Sequence, residues 1–275
     1  MRAYSTGLEL ILNAAEGPLQ VLVTENGVLL CAQSWGRSDR ATEILAPALQ
    51  GICSLLGIAP AGFRRIACVR GPGSFTGIRL TLTTAAALRR AAPAGQTLLA
   101  GLDHLQALAT TAAMQRGLLH GARIWTLTHA RRNLVHFQPF LSFGPVIPAQ
   151  PLAEASLLPP AEALARMAAE GAAGHACGSG LARYPELFAP VSTGHGPAGA
   201  PACTPLAELV SPDTAALCLL ARHGDYFAAD IEPYYLRPCD AVENLPELAR
   251  RQGMDSAGAV RALDALLTRA PQSEI

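Results

Sequence analysis

The segment with the most chemical content reads Arg70-Gly71-Pro72-Gly73-Ser74-Phe75-Thr76-Gly77-Ile78-Arg79. Three glycines and a proline between positions 71 and 77 enforce a tight turn that another group can approach closely. Ser74 and Thr76 are residue types that cap a helix start, where free N–H groups and the positive end of the helix dipole accept an anion well. The same composition serves equally as a capped strand-to-helix turn that holds nothing. The spacing Gly73-Ser74-Phe75-Thr76-Gly77 is not the Gly-x-Ser-x-Gly of a nucleophile elbow, and no Ser/His/Asp or Cys/His set can be assembled around it.

Other candidate residues are sparser. Asn13 ends the first apolar run; an amide can hydrogen-bond a phosphate but is neither a base nor a good Mg²⁺ ligand, and a strand-end asparagine also serves a turn. His129 and His136 bracket a turn without a third ligand nearby, so no metal site is expected. Seven scattered cysteines lack a C-x-x-C pair and read as buried thiols of a reducing cytosol. All 21 basic residues are arginine, which excludes a P-loop and any Lys nucleophile. They balance 21 acidic residues, so the chain has no basic surplus for gripping nucleic acid by itself. No stretch approaches the about 20 apolar residues that span a bilayer, and Glu9 and Asn13 interrupt any leader-like run. A cytoplasmic location without membrane contact is expected.

The elements that must position these residues follow from pattern. Apolar runs at 8–12, 19–24 and 28–35, separated by Glu16-Gly17-Pro18 and Asn26-Gly27, predict an antiparallel meander. Helical spacing over 42–56 ends at Gly57, a short strand over 66–69 leads into the glycine-rich turn, and a helix over 76–92 stops at Pro93. A strand at 97–100 and a helix at 103–116 complete a mixed sheet with helices packed on it. A second, weaker unit has strands at 124–128, 134–140, 146–151 and 174–177 and a helix at 161–170. A Gly/Pro-rich connector follows at 193–205, then a helix from Pro212 capped by Ser211. Residues 255–269 predict an appended amphipathic helix.

The string Gly71 to Arg79 closely resembles the signature of the bacterial TsaB (YeaZ) family, which acts in tRNA threonylcarbamoyladenosine synthesis. The opening meander, the 44–57 helix with Pro47, Gly178-Ser179-Gly180 followed by Tyr184-Pro185, and Glu232-Pro233-Tyr234-Tyr235-Leu236-Arg237 resemble family features in the same order. The resemblance covers about residues 8–240. It implies an actin/sugar-kinase-like (ASKHA) α/β fold with subdomains over 1–110 and 111–240, each a mixed sheet flanked by helices, and an extension over 241–275.

The resemblance further implies a non-catalytic scaffold that pairs with the catalytic homologue, a TsaD-type subunit, and with a TsaE-type ATPase. It would reach tRNA indirectly through that complex and self-associate when alone. No cofactor is expected to bind this chain tightly; ATP or ADP is expected at the joint surface with the partner. Gly71, Pro72, Gly73, Ser74, Phe75, Thr76, Gly77 and Arg79 become a nucleotide or complex-interface loop. Ile44, Leu45, Leu49, Leu82 and Ala86 on the two flanking helices become the partner face. Asn13 stands where active members of the wider fold carry an Asp that handles phosphate or metal, and so marks a vestigial site. In the second half His129-Ala130-Arg131-Arg132 replaces the family's Asp-Ala-Arg. The competing reading is an autonomous ATP-dependent phosphotransferase of the same fold, favoured by the intact glycine-rich turn and opposed by Asn13.

Overall fold

Residues 7–36, 40–131, 133–171, 173–192, 203–236 and 240–269 are described by the structure, a computed structural model. The opening runs form β1 (Leu8–Asn13), β2 (Leu19–Glu25) and β3 (Val28–Trp35), an antiparallel meander. Asn26 and Gly27 both take positive φ, 52° and 78°, as a two-residue hairpin loop requires. Then come α1 (Ala41–Leu56), β4 (Arg65–Gly71), α2 (Phe75–Ala91), β5 (Leu98–Asp103) and α3 (His104–Arg116). Strand β4 joins β1 in parallel and β5 joins β4, giving the order β3-β2-β1-β4-β5.

The second half repeats this plan. It contains β6 (Arg123–Ala130), β7 (Leu134–Leu141), β8 (Gln150–Pro151), β9 (Ser156–Leu158), α4 (Pro160–Ala169), β10 (Gly174–Cys177), α5 (Ser179–Arg183), α6 (Pro185–Ser192), β11 (Cys203–Leu206) and α7 (Thr214–Arg222). The order is β11-β10-β6-β7-β8, with β9 also on β7; β6, β7 and β8 run antiparallel and β10 and β11 extend the sheet in parallel. Each sheet therefore sets its third, second and first strands side by side as an antiparallel meander and adds two parallel strands beyond the first, β4 and β5 in one and β10 and β11 in the other, the duplicated plan of the actin/sugar-kinase-like fold.

Helix α3 holds the two sheets in one body. Its Ala107 packs among Ile11, Ala67 and Val69 of the first sheet, while Leu105, Leu108 and Ala112 pack with Ile124, Phe140 and Cys177 of the second. A helix apolar all round belongs in a core, and α3 carries small residues that permit such close approach. Its hydroxyls are satisfied: Thr111 donates to the Ala107 carbonyl at 2.8 Å and accepts from the Asp213 N–H at 3.1 Å. The outer face of the first sheet packs on α1 and α2 through Leu10, Leu12, Leu45, Ile52 and Ala85.

Local departures from expectation have simple causes. The strand expected over 146–151 shrinks to Gln150–Pro151, because Pro148 and Pro151 cannot donate to a ladder, and Val146 stays 73% exposed. Helix α7 starts two residues later than expected: Asp213, not Ser211, caps it by accepting from the Ala216 N–H at 2.7 Å. Of the predicted connector, 193–202 lies outside the described residues, whereas Cys203, Thr204 and Pro205 form part of β11.

Residues 237–275 form a separate compact unit. Within it, α8 (Asp240–Arg251) and the expected α9 (Ser256–Arg269) make a helical hairpin, turned at Gly253 with φ 71° and closed by the Met254 N–H donating to the Ala249 carbonyl at 2.9 Å.

Candidate functional site

The glycine-rich turn connects β4 to α2 and begins with a cis Gly71–Pro72 peptide. Ser74 caps α2, its Oγ accepting from the Gly77 N–H at 3.2 Å. The turn does not stand open. The Ser74 N–H donates to the Ala15 carbonyl at 2.6 Å, and a Cβ on Gly73 or Gly77 would overlap the carbonyls of Ala15 and Ala14. The glycines are needed because the β1–β2 turn lies directly against them.

Asn13 is fully buried and hydrogen-bonded on both sides of its amide. Its Nδ2 donates to Gln20 Oε1 at 2.6 Å, its Oδ1 accepts from the Ala15 N–H at 3.0 Å, and Gln20 Nε2 continues to the Pro212 carbonyl at 3.0 Å. This chain of bonds fixes the β1–β2 turn and holds the amide in a structural role. The residues at the hairpin therefore do not fit a nucleotide phosphate: backbone carbonyls face the glycines, the Ser74 donor is occupied, and Glu16 adds a carboxylate. Among the described residues no group of three or more His, Cys, Asp or Glu side chains is arranged to hold a metal ion. His129 and His136 part company. His136 is buried with Nδ1 3.1 Å from Thr128 Oγ1, and burial holds the half-buried His129 below the usual histidine range, with Arg183 adding to the effect and Glu16 opposing it.

The two strings at 70–79 and 232–237, far apart in sequence, meet in space. The Tyr234 N–H donates to the Arg70 carbonyl at 2.8 Å, and the Arg70 guanidinium donates to Asp103 at 2.7 Å. Phe75 stacks on Tyr235 with centroids 5.1 Å apart, the Arg79 guanidinium lies 4.0 Å above the Phe75 ring, and Arg79 Nε donates to the Tyr235 hydroxyl oxygen at 3.3 Å. Arg237 lies outside the described residues.

Between α1 and α2 runs a surface groove of about 630 Å³, lined among others by Leu49, Cys53, Leu80, Thr83, Ala87 and Leu88. Thr84 adds a methyl rather than a hydroxyl, since its Oγ1 donates to the Leu80 carbonyl at 2.7 Å. Leu49 sits at the groove's floor. Leu45 turns inward and is only 2% exposed, and Ile44 and Leu82 pack half-buried against the core. Ala86 is half-buried beside the groove. The rim is built instead from exposed small and polar residues, Ala46, Gln50, Ser54, Thr83 and Ala87. Periodicity pointed to the bulkiest apolar positions, which are those a helix gives to its own sheet.

Residues 37–185, more than half of the chain, match the family described as TsaD: tRNA N6-adenosine threonylcarbamoyltransferase. No curated protein matches the chain. A crystal structure of an uncharacterized protein with similarity to peptidase YeaZ from Pseudomonas aeruginosa aligns with a TM-score of 0.64 at 22% identity, covering 84% of this chain and 100% of that one. YeaZ from Pseudomonas aeruginosa aligns with a TM-score of 0.62 at 21% identity, covering 83% and 99%. These likenesses establish the fold, and the family match does more: the chain belongs to the TsaD family of tRNA N6-adenosine threonylcarbamoyltransferases, which ties it to tRNA threonylcarbamoyladenosine biosynthesis.

Proposed function

We propose that the chain is a TsaB-type, non-catalytic subunit of the tRNA threonylcarbamoyladenosine machinery, a scaffold that pairs through its α1–α2 face with the TsaD-type catalytic homologue. A TsaE-type ATPase joins that assembly, tRNA is reached through it, and any ATP or ADP is held at the joint surface. The observation that carries this reading is the α1–α2 groove. Its apolar floor is open, and its rim of Ala46, Thr83 and Ala87 lets a partner helix come close. Each Å² of apolar surface a partner removes from water there contributes about 25 cal/mol. The committed Asn13 amide and the turn packed against the glycines support the same reading over an autonomous phosphotransferase.

The test is co-elution of the purified chain with the catalytic homologue. The parent should co-elute, and Ala87→Arg, which sets a charge on the groove's exposed rim, should abolish pairing while leaving the melting temperature unchanged. A complex that forms normally with Ala87→Arg would move the interface elsewhere. ATP-dependent phosphoryl transfer by the isolated chain would favour the enzyme reading instead.

A further inference from the structure

The turn after β1 carries Glu16 into the seam where elements of both sheets meet. Its Oε1 accepts from the Ser179 hydroxyl, and its Oε2 lies 3.3 Å from Nε2 of His104. Ser179 opens α5 on the second sheet's side, and its Oγ also accepts from the His129 N–H at 2.8 Å, which leaves the hydroxyl proton directed at Glu16. His104 opens α3, is fully buried, and has no partner at Nδ1; facing a carboxylate, its Nε2 carries the proton. Donors from two elements, α5 and α3, thus converge on one carboxylate, and Arg183 adds positive charge within reach of His129. A side chain of the protein's own fills that point: Glu16 is 21% exposed.

We propose that Glu16 is a built-in anion. Its carboxylate occupies a site for a phosphate-class anion, free or carried by a nucleotide, that Ser179 and His104 still form, and it bars external anions from it. A second negative charge held about 4 Å from this carboxylate would lose on the order of a thousandfold in affinity at the effective dielectric of a protein surface. The inference does not depend on the scaffold reading, because the residues concerned lie away from the α1–α2 groove.

Thermal melts of the full chain against inorganic phosphate test it, with chloride at matched ionic strength as control and ADP as a second probe. The parent should not respond. Glu16→Ala should melt progressively higher with phosphate in a saturable way, with an apparent affinity at least about tenfold above the parent's. Glu16→Gln keeps the size and an acceptor for Ser179 while dropping the charge; it should shift in the same direction, and it decides the matter should the alanine variant not fold. Adding Ser179→Ala to the responding variant should remove the response. The proposal fails if the parent responds as strongly as the variants, if a folded variant ignores phosphate, or if the response survives Ser179→Ala. A response to phosphate but not ADP assigns the site to the free anion, and a response to both extends it to nucleotides. Loss of partner co-elution would bear on the scaffold reading alone.

Discussion

Replacing Asn13 by Asp restores the residue type that active members of the wider fold carry, and the structure states what that should cost. In the parent the Asn13 amide donates to Gln20 Oε1 at 2.6 Å, and Gln20 Nε2 donates to the Pro212 carbonyl at 3.0 Å, all within a fully buried setting. An aspartate turns the first contact into one acceptor facing another. Rotating the Gln20 amide gives the aspartate a donor but aims an oxygen at the Pro212 carbonyl, so one acceptor clash survives either way. Losing a hydrogen bond costs about 1 kcal/mol, and a buried acceptor left without a donor costs about 1–3 kcal/mol more. A total of roughly 2–4 kcal/mol should lower the melting temperature by on the order of 10 °C for a domain of this size. The new carboxyl can escape by taking up a proton, since burial raises its pKa above the ordinary value of about 3.9. The folded state then binds more protons than the unfolded one, so stability falls as pH rises above about 4 and through the raised pKa. The deficit should be largest at neutral pH and shrink toward pH ~4 in urea melts. An Asn13→Asp protein as stable as the parent at neutral pH, or one whose deficit grows on acidification, would refute the role given to this amide.

Further predictions address the packing and the thiols. Gly77→Ala places a Cβ into the Ala14 carbonyl, which is backbone and cannot swing aside, and should cost about 1–3 kcal/mol in urea melts; an unaltered midpoint would mean the turn and hairpin are not in contact. Tyr226→Phe removes the hydroxyl that donates to the buried Glu9 at 2.5 Å, and should destabilise by about 1–3 kcal/mol despite conserving the ring. Burial pushes Cys177 up to about 12 and Cys203 up to about 11, so iodoacetamide near pH 8 should modify them only after unfolding; rapid labelling in the native protein would contradict their placement. Because the folded state keeps these thiol protons longer than the unfolded chain does, their contribution to stability is whole below the ordinary thiol value of about 8.5 and is lost as pH climbs toward 11 and 12.

The parts of this fold that were legible in the sequence are those fixed by neighbours along the chain. The hairpin at Asn26-Gly27, the left-handed cap at Gly57 and the Ser74 cap each rest on a local backbone requirement, and all three are present. The α1–α2 groove was harder to read. In α1 the regular stripe Leu45, Leu49, Ile52 turns toward the first sheet, while the groove's rim is made of Ala46, Gln50 and Ser54, whose composition looks like any solvated helix face. Glu16 gave no signal beyond its place in a turn, because Ser179 lies 163 positions away. Proline explains the shortened strand at Gln150–Pro151, and that could have been weighed in advance: a donor missing at two of six positions leaves too little ladder.

The link between Glu9 and Tyr226 has a consequence for how the protein is made. Strand β1 holds a carboxylate whose tyrosine partner arrives 217 residues later, on a segment that also hydrogen-bonds Leu99 at the margin of the same sheet. Until about residue 235 has left the ribosome, the early half is an incomplete object: Thr24 and Arg65 already reach the Glu9 carboxylate, but the tyrosine hydroxyl is missing and the strand margin is bare. Nascent chains halted before that point should be readily cut by protease, and those halted beyond it resistant, so that maturation of the beginning waits upon the end.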